Sequence, residues 1–221
     1  MMFIADRMDH IREVFQLGYS GRSHEVDADD VFISVAYEGA AYACAERDIN
    51  QHQLLVEWLA WKETNPGHEA QIHVGLGWAL AKTGTPWNQV KLLISETMHS
   101  RVLDGIGYYE GALRYRKSIL LQEVSSLVAN DDFPWYFQGI GRSLWYHTKG
   151  EVDGLLPLIS KFSDEHYPWL WRGIGLASTY VGGMDEAMLE NMQQAAGLYW
   201  DYWLQGKSLA LASRTKAGTI R

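Results

Sequence analysis

The sequence predicts an all-α protein of about five repeated helical hairpins, arranged as an open solenoid or as a closed helical array. A segment occurs twice, PWYFQGIGRSLWY from Pro134 to Tyr146 and PWLWRGIGLASTY from Pro168 to Tyr180, at an offset of 34 residues. Its Gly-x-Gly core recurs at Gly75/Gly77 and Gly105/Gly107, and the second glycines of the four copies are spaced by 30, 34 and 34 residues. Sustained period-2 alternation, the mark of a half-buried strand, is absent.

Along the chain, residues 1–30 form an N-terminal helix and linker, and residues 31–221 a single helical-repeat domain. Ile4, Met8, Ile11, Val14 and Phe15 fall at helical spacing, and the polar stretch from Gly18 to Asp30 reads as the linker. Two kinds of helix then alternate. Helices rich in small and aromatic residues are expected at 32–47, 70–83, 104–117, 135–148, 168–182 and 200–214. Amphipathic partners are expected at Gln51–Lys62, Trp87–Met98, Ile119–Val128, Val152–Phe162 and Asp185–Leu198, the fourth marked by Leu155, Leu158, Ile159 and Phe162 on one stripe. Pro86 and Asp185 are start signals, and Gly84, Lys149-Gly150 and Gly182-Gly183 are turns. The hairpins resemble tetratricopeptide units in length, although here prolines precede the first helix instead of closing the second.

Composition narrows the function. The chain has 221 residues, a net charge of −8 and no basic stripe, which argues against nucleic acid. Its 10 Trp and 12 Tyr suit a core or the wall of a ligand site. A lone cysteine, Cys44, allows no internal disulfide framework and fits a reducing, cytoplasmic setting. The charged opening is unlike a signal peptide, and no apolar run reaches membrane-spanning length, so membrane insertion is not expected.

The glycine pairs lack the preceding strand and third glycine of a nucleotide fingerprint. Since a glycine inside a helix costs roughly 0.5–1 kcal/mol relative to alanine, close approach of helix backbones is the simpler reason for them. Aligning the copies then isolates exceptions. The residue after the second glycine is Trp78, Tyr108, Arg142 or Leu176; six after it stand Thr83, Leu113, His147 and Val181; before the first glycine stand Val74, Asp104, Gln138 and Arg172. Glu38 and Glu110 share a Tyr-Glu-Gly-Ala context. A charge on such a face must be paired or functional, so the alternatives are internal ion pairs, such as Arg142 or Arg172 with Glu110 or Glu38, or a site. For the site, Glu110 and His147 are the acid–base candidates, and His73, Trp78, Tyr108, Arg142, Trp145 and Arg172 the ligand-binding ones. No metal site is expected. Glu96 and His99 form a single E-x-x-H, and His68 and His73 lie five apart, about 140° from one face. No cofactor is indicated, and neither Cys44 nor Ser143 belongs to a recognisable nucleophile motif.

Six segments in order, AYEGAAYACA (36–45), IHVGLGWALAKTG (72–84), DGIGYYEGALRY (104–115), GIGRSLWY (139–146), LWRGIGLASTYVGG (170–183) and LQGKSLALASR (204–214), resemble the DUF1702 family. The family's DGYGFH-like segment reads Asp104-Gly-Ile-Gly-Tyr-Tyr109 here, with a tyrosine at the histidine. The resemblance implies specialised metabolism, since some members are encoded near enediyne-type polyketide clusters, and it supplies no catalytic residues. Two functions are carried forward. One is an aromatic-lined pocket that binds or processes an apolar, polyketide- or terpene-like metabolite. The other is a non-enzymatic scaffold for a protein partner; on either reading, exposed ends of the array allow a homodimer or a cap formed by residues 1–30. Whether the chain is an enzyme stays open. The discriminating feature is where Trp135, Trp145, Trp169 and Trp171 point: into a cavity with Arg142 and His147, or between helices.

Overall fold

The computed structural model of the chain describes residues 3–220. Every regular element among them is helical: α1 (Ile4–Tyr19), α2 (Ile33–Asn50), α3 (Val56–Thr64), α4 (Glu69–Thr83), α5 (Glu96–Leu113), α6 (Phe133–His147), α7 (Leu155–Ile159), α8 (Tyr167–Val181), α9 (Glu186–Ala196) and α10 (Trp200–Lys216), with short 3₁₀ and π turns between them. The small- and aromatic-rich helices α2, α4, α5, α6, α8 and α10 pack on one another in that order, and α1 packs on α2. Gln138 bonds Asp104, His147 bonds Gly111, Trp169 meets Trp135 and Arg214 bonds Tyr180, each reaching about one repeat back at matching heights. Neighbouring long helices therefore run parallel.

The glycines set this packing. A methyl group on Gly75, Gly105, Gly139, Gly173 or Gly206 would overlap the carbonyl of Glu38, Val74, Asp104, Gln138 or Arg172, in each case the residue just before the first register glycine of the preceding helix. Reciprocally, Gly77, Gly107, Gly141 and Gly175 press on the carbonyls of Val102, Tyr136, Leu170 and Trp203, three residues before the next helix's register glycine. Helix α1 obeys the same rule, because Gly18 presses on Ala36 and Gly39 on Phe15. Gln16, Ala41 and Ser208 stand at the remaining register positions. The linker-like reading of Gly18 thus missed a packing glycine.

The connectors depart more from expectation. Trp87–Met98 is not one helix. Two 3₁₀ turns, Trp87–Gln89 and Lys91–Leu93, bury Trp87, Val90 and Ile94, then extended Ser95 starts α5, which absorbs residues 96–98. Ile119–Val128 is a π turn, Arg116–Leu120, followed by irregular chain, since Ile119 is buried but Leu121 and Val124 are exposed and no apolar stripe forms. In the fourth unit Leu155, Ile159 and Phe162 are buried as expected, but α7 ends at Ile159. Asp185 does cap α9, accepting from Met188 N–H at 2.8 Å, and Gly84 stops α4 in the left-handed region at φ 75°.

The array returns on itself. Arg214 of α10 donates to the carbonyls of Val31 (3.0 Å), Tyr180 (2.6 Å) and Thr219 (3.1 Å), Lys216 pairs with Glu69 at 2.6 Å, and Arg7 of α1 donates to Val181 at the end of α8. Trp58, Trp87, Trp145, Trp171 and Trp203 are fully buried in the core between the long helices and their connectors.

Candidate ligand cavity

Each long helix gives one stripe to a central cavity of about 480 Å³. The stripes run Met8, Ile11 and Phe15 on α1; Val35, Glu38 and Tyr42 on α2; Gln71, Val74 and Trp78 on α4; Arg101, Asp104 and Tyr108 on α5; Arg142 and Tyr146 on α6; Leu176 and Tyr180 on α8; Ala210 and Ser213 on α10. The spacing of three or four residues is one helix face. The phase follows from the glycines. With the second register position against a neighbouring backbone, the next residue, about 100° further round, turns inward. Tyr19, Tyr42, Trp78, Tyr108, Arg142 and Leu176 all occupy that place, and all line the cavity.

The wall is mostly apolar and aromatic, with a charged centre. Asp104, 1% exposed, accepts from the Arg142 guanidinium and from Gln138 Nε2 at 2.6 Å. Arg142 lies 4.6 Å over the Tyr108 ring, and the Tyr108 and Tyr146 rings meet edge-on at 5.6 Å. Glu38 is 6% exposed and makes no ion pair. Burial raises its pKa to about 7, with Arg142 opposing and Asp104 reinforcing the shift. Burial also pushes the Tyr146 phenol up to about 12 and the Tyr108 phenol well above its usual value, so both remain hydrogen-bond donors at neutral pH.

Of the sequence-derived candidates, Trp78, Tyr108, Arg142 and His147 line the cavity. His147 stands exposed at its edge, donating to the Gly111 carbonyl at 2.8 Å and meeting Tyr115 edge-on at 4.6 Å. Glu110 does not line it. It is buried behind α5, paired with Arg114 at 2.8 Å, and burial raises its pKa. His73 is also elsewhere, donating to the Glu69 carbonyl at 2.7 Å and packing edge-on against Trp58 of α3, and burial lowers its pKa. Trp145 is a fully buried core residue. Arg172 lies 4.5 Å over Trp135 and 6.0 Å from Trp169, outside the lining. Trp135, Trp145, Trp169 and Trp171 pack between or beside helices and do not face the cavity, the arrangement expected of plain packing or of a scaffold. The cavity's rings are instead Phe15, Tyr19, Tyr42, Trp78, Tyr108, Tyr146 and Tyr180. Internal pairing accounts for Glu110 with Arg114 and for Arg142, whose partner is Asp104 and not Glu38 or Glu110.

Sequence reasoning left Asp104, Arg101 and Gln71 out of the site and set Glu38 behind Glu110. The signal for Glu38 and Asp104 was present, since each precedes a register glycine, as does Val74 in the next copy. Among the described residues no group of three or more His, Cys, Asp or Glu side chains could hold a metal ion. His99 donates to the Ile94 carbonyl at 3.0 Å, and His68 stacks on Tyr37 at 3.8 Å. No helix among those residues is long and apolar enough to cross a membrane.

A family model described as a protein of unknown function (DUF1702) matches residues 19–221. No curated protein and no solved structure matches the chain.

Proposed function

The chain belongs to the DUF1702 family, and we propose that its central cavity binds or processes a small, largely apolar molecule of the polyketide or terpene kind, in a cytoplasmic setting of specialised metabolism. One observation carries this reading: all seven long helices turn a face to the same space, of a size suited to a small organic ligand. A core built only for stability would exclude Glu38, Asp104 and Arg142, because each buried charge costs several kcal/mol before compensation. Here they are gathered in an otherwise apolar wall, where polar groups orient a ligand. The acid–base group offered to a bound molecule is Glu38, which exchanges a proton near neutral pH. The scaffold reading keeps one observation, the half-buried Trp135 and Trp169 outside the cavity.

Native mass spectrometry of protein purified from its host is expected to show a retained small molecule. Leu176→Trp puts into the wall the side chain that Trp78 places at the matching position of α4. It should weaken binding by about tenfold or more with helical circular dichroism unchanged. Absence of any retained or added ligand, together with a stoichiometric complex with one protein partner, would replace this reading by the scaffold.

A further inference from the structure

Arg101 differs from every other charge on the cavity wall. It is partly buried, one turn before Asp104 on α5, and among the described residues no hydrogen bond, ion pair or ring contact engages its guanidinium. The carboxylate nearest to it, Asp104, is already shared by Arg142 and Gln138. The other charges it feels are cationic: Arg142, and Arg172, which stacks on Trp135. Three guanidiniums thus draw on one carboxylate, Asp104, which bonds only Arg142 among them. Glu38 does not restore balance, because it interacts with Arg142 and not with Arg101, and burial favours its neutral form. Burial likewise acts against the charge of Arg101. An arginine held this way has no hydrogen-bonded carboxylate of its own, and a planar guanidinium matches an oxyanion in a two-point hydrogen-bonded pair.

Building on the cavity reading, we propose that Arg101 receives the oxyanion of the cavity's ligand, so that the ligand class is an organic acid with an apolar body. The acid group, a carboxylate or a phosphate, sits at Arg101, and the body lies along Phe15, Val74, Trp78 and Leu176. Arg142 stays engaged with Asp104 and acts as wall rather than as primary anchor.

The test measures binding of decanoate, decyl phosphate, decanol and inorganic phosphate to the full-length protein by calorimetry. One or both decyl anions should bind at least about tenfold more tightly than decanol. Arg101→Gln should remove that preference and leave decanol affinity within about twofold, and Arg101→Lys should keep part of it. Preference for decyl phosphate over decanoate, or the reverse, identifies the head group and supports the assignment either way. The proposal is overturned if decanol equals both anions on the wild type, if Arg101→Gln and Arg101→Lys weaken all decyl ligands alike, or if inorganic phosphate binds as tightly as decyl phosphate. Decanol binding without acid preference removes only the role of Arg101. Failure of every decyl ligand to bind removes the cavity reading with it.

Discussion

Glu38 and Glu110 show how little the side chain alone decides. Both stand in Tyr-Glu-Gly-Ala, yet Glu38 faces the cavity and Glu110 is turned away against Arg114. Glu38 directly precedes a register glycine, while Glu110 comes three residues after Gly107, and at about 100° per residue the two point to different sides of the helix. Local sequence could not separate them; phase relative to the packing glycines does. The same phase places Trp78, Tyr108 and Arg142 on the cavity wall. It could not reveal that Asp104 neutralises Arg142, which depends on distance between helices. Glu38 has a measurable signature. Its carboxyl titrates near 7 in the fold against an ordinary 4.5, so between these values the folded state holds a proton that the unfolded chain has released. Stability therefore falls as pH rises through that window, by about 3 kcal/mol for a shift of this size. Glu38→Gln removes the loss. In urea unfolding from about pH 4 to about pH 8, the variant should gain on wild type by that amount, chiefly between about pH 5 and about pH 7. Parallel curves would mean that Glu38 is ionised in the fold throughout.

Among the elements, the long helices were legible, and of the connectors α3, α7 and α9 in whole or part, while Trp87–Met98 and Ile119–Val128 were not. Four Gly-x-Gly pairs revealed the repeat because glycine is the only residue that permits those backbone contacts. Helix α1 was expected as a helix but not as part of the repeat, because Gln16 occupies one register position and Gly18 alone resembles linker. Connector segments were misjudged because apolar residues at helical spacing form a helix only where a neighbouring surface buries them, and Leu121 and Val124 have none. The glycine register can be tested by a single methyl group. Gly139→Ala gains about 1 kcal/mol of helix propensity but drives a carbon into the Asp104 carbonyl and to 2.5 Å from the Tyr108 nitrogen, both backbone atoms that cannot step aside. A net loss of about 3 kcal/mol or more is expected in urea or thermal unfolding. Gly67→Ala, whose nearest neighbour would be the Lys216 carbonyl at 3.9 Å, should change stability by less than about 1 kcal/mol. Equal effects at the two positions would show that the helices can move apart.

For the molecule as a whole, the decisive contact joins residues far apart in sequence. Arg214 bonds the Val31 carbonyl 183 positions away and also holds Tyr180 and Thr219, so that α10 meets the start of α2. A repeat seen in sequence specifies how one unit meets the next and is silent on whether the last meets the first, which is why open and closed arrays stayed equivalent until this contact was seen. Arg214→Ala should cost about 3 kcal/mol, because three backbone acceptors lose their donor. It should also speed hydrogen exchange in α10 more than in α5, as an end released from its closure frays. Uniform acceleration would indicate that closure contributes nothing specific to α10. The division of labour inside each helix has a further consequence. Backbone and glycine hold the shape, while the residue immediately after the second glycine position faces the cavity, so the side chains at 19, 42, 78, 108 and 176 can vary without disturbing the frame, whereas Arg142 is tied to Asp104. Descendants of one such protein could exchange those residues one at a time and reshape the interior without redesigning the vessel.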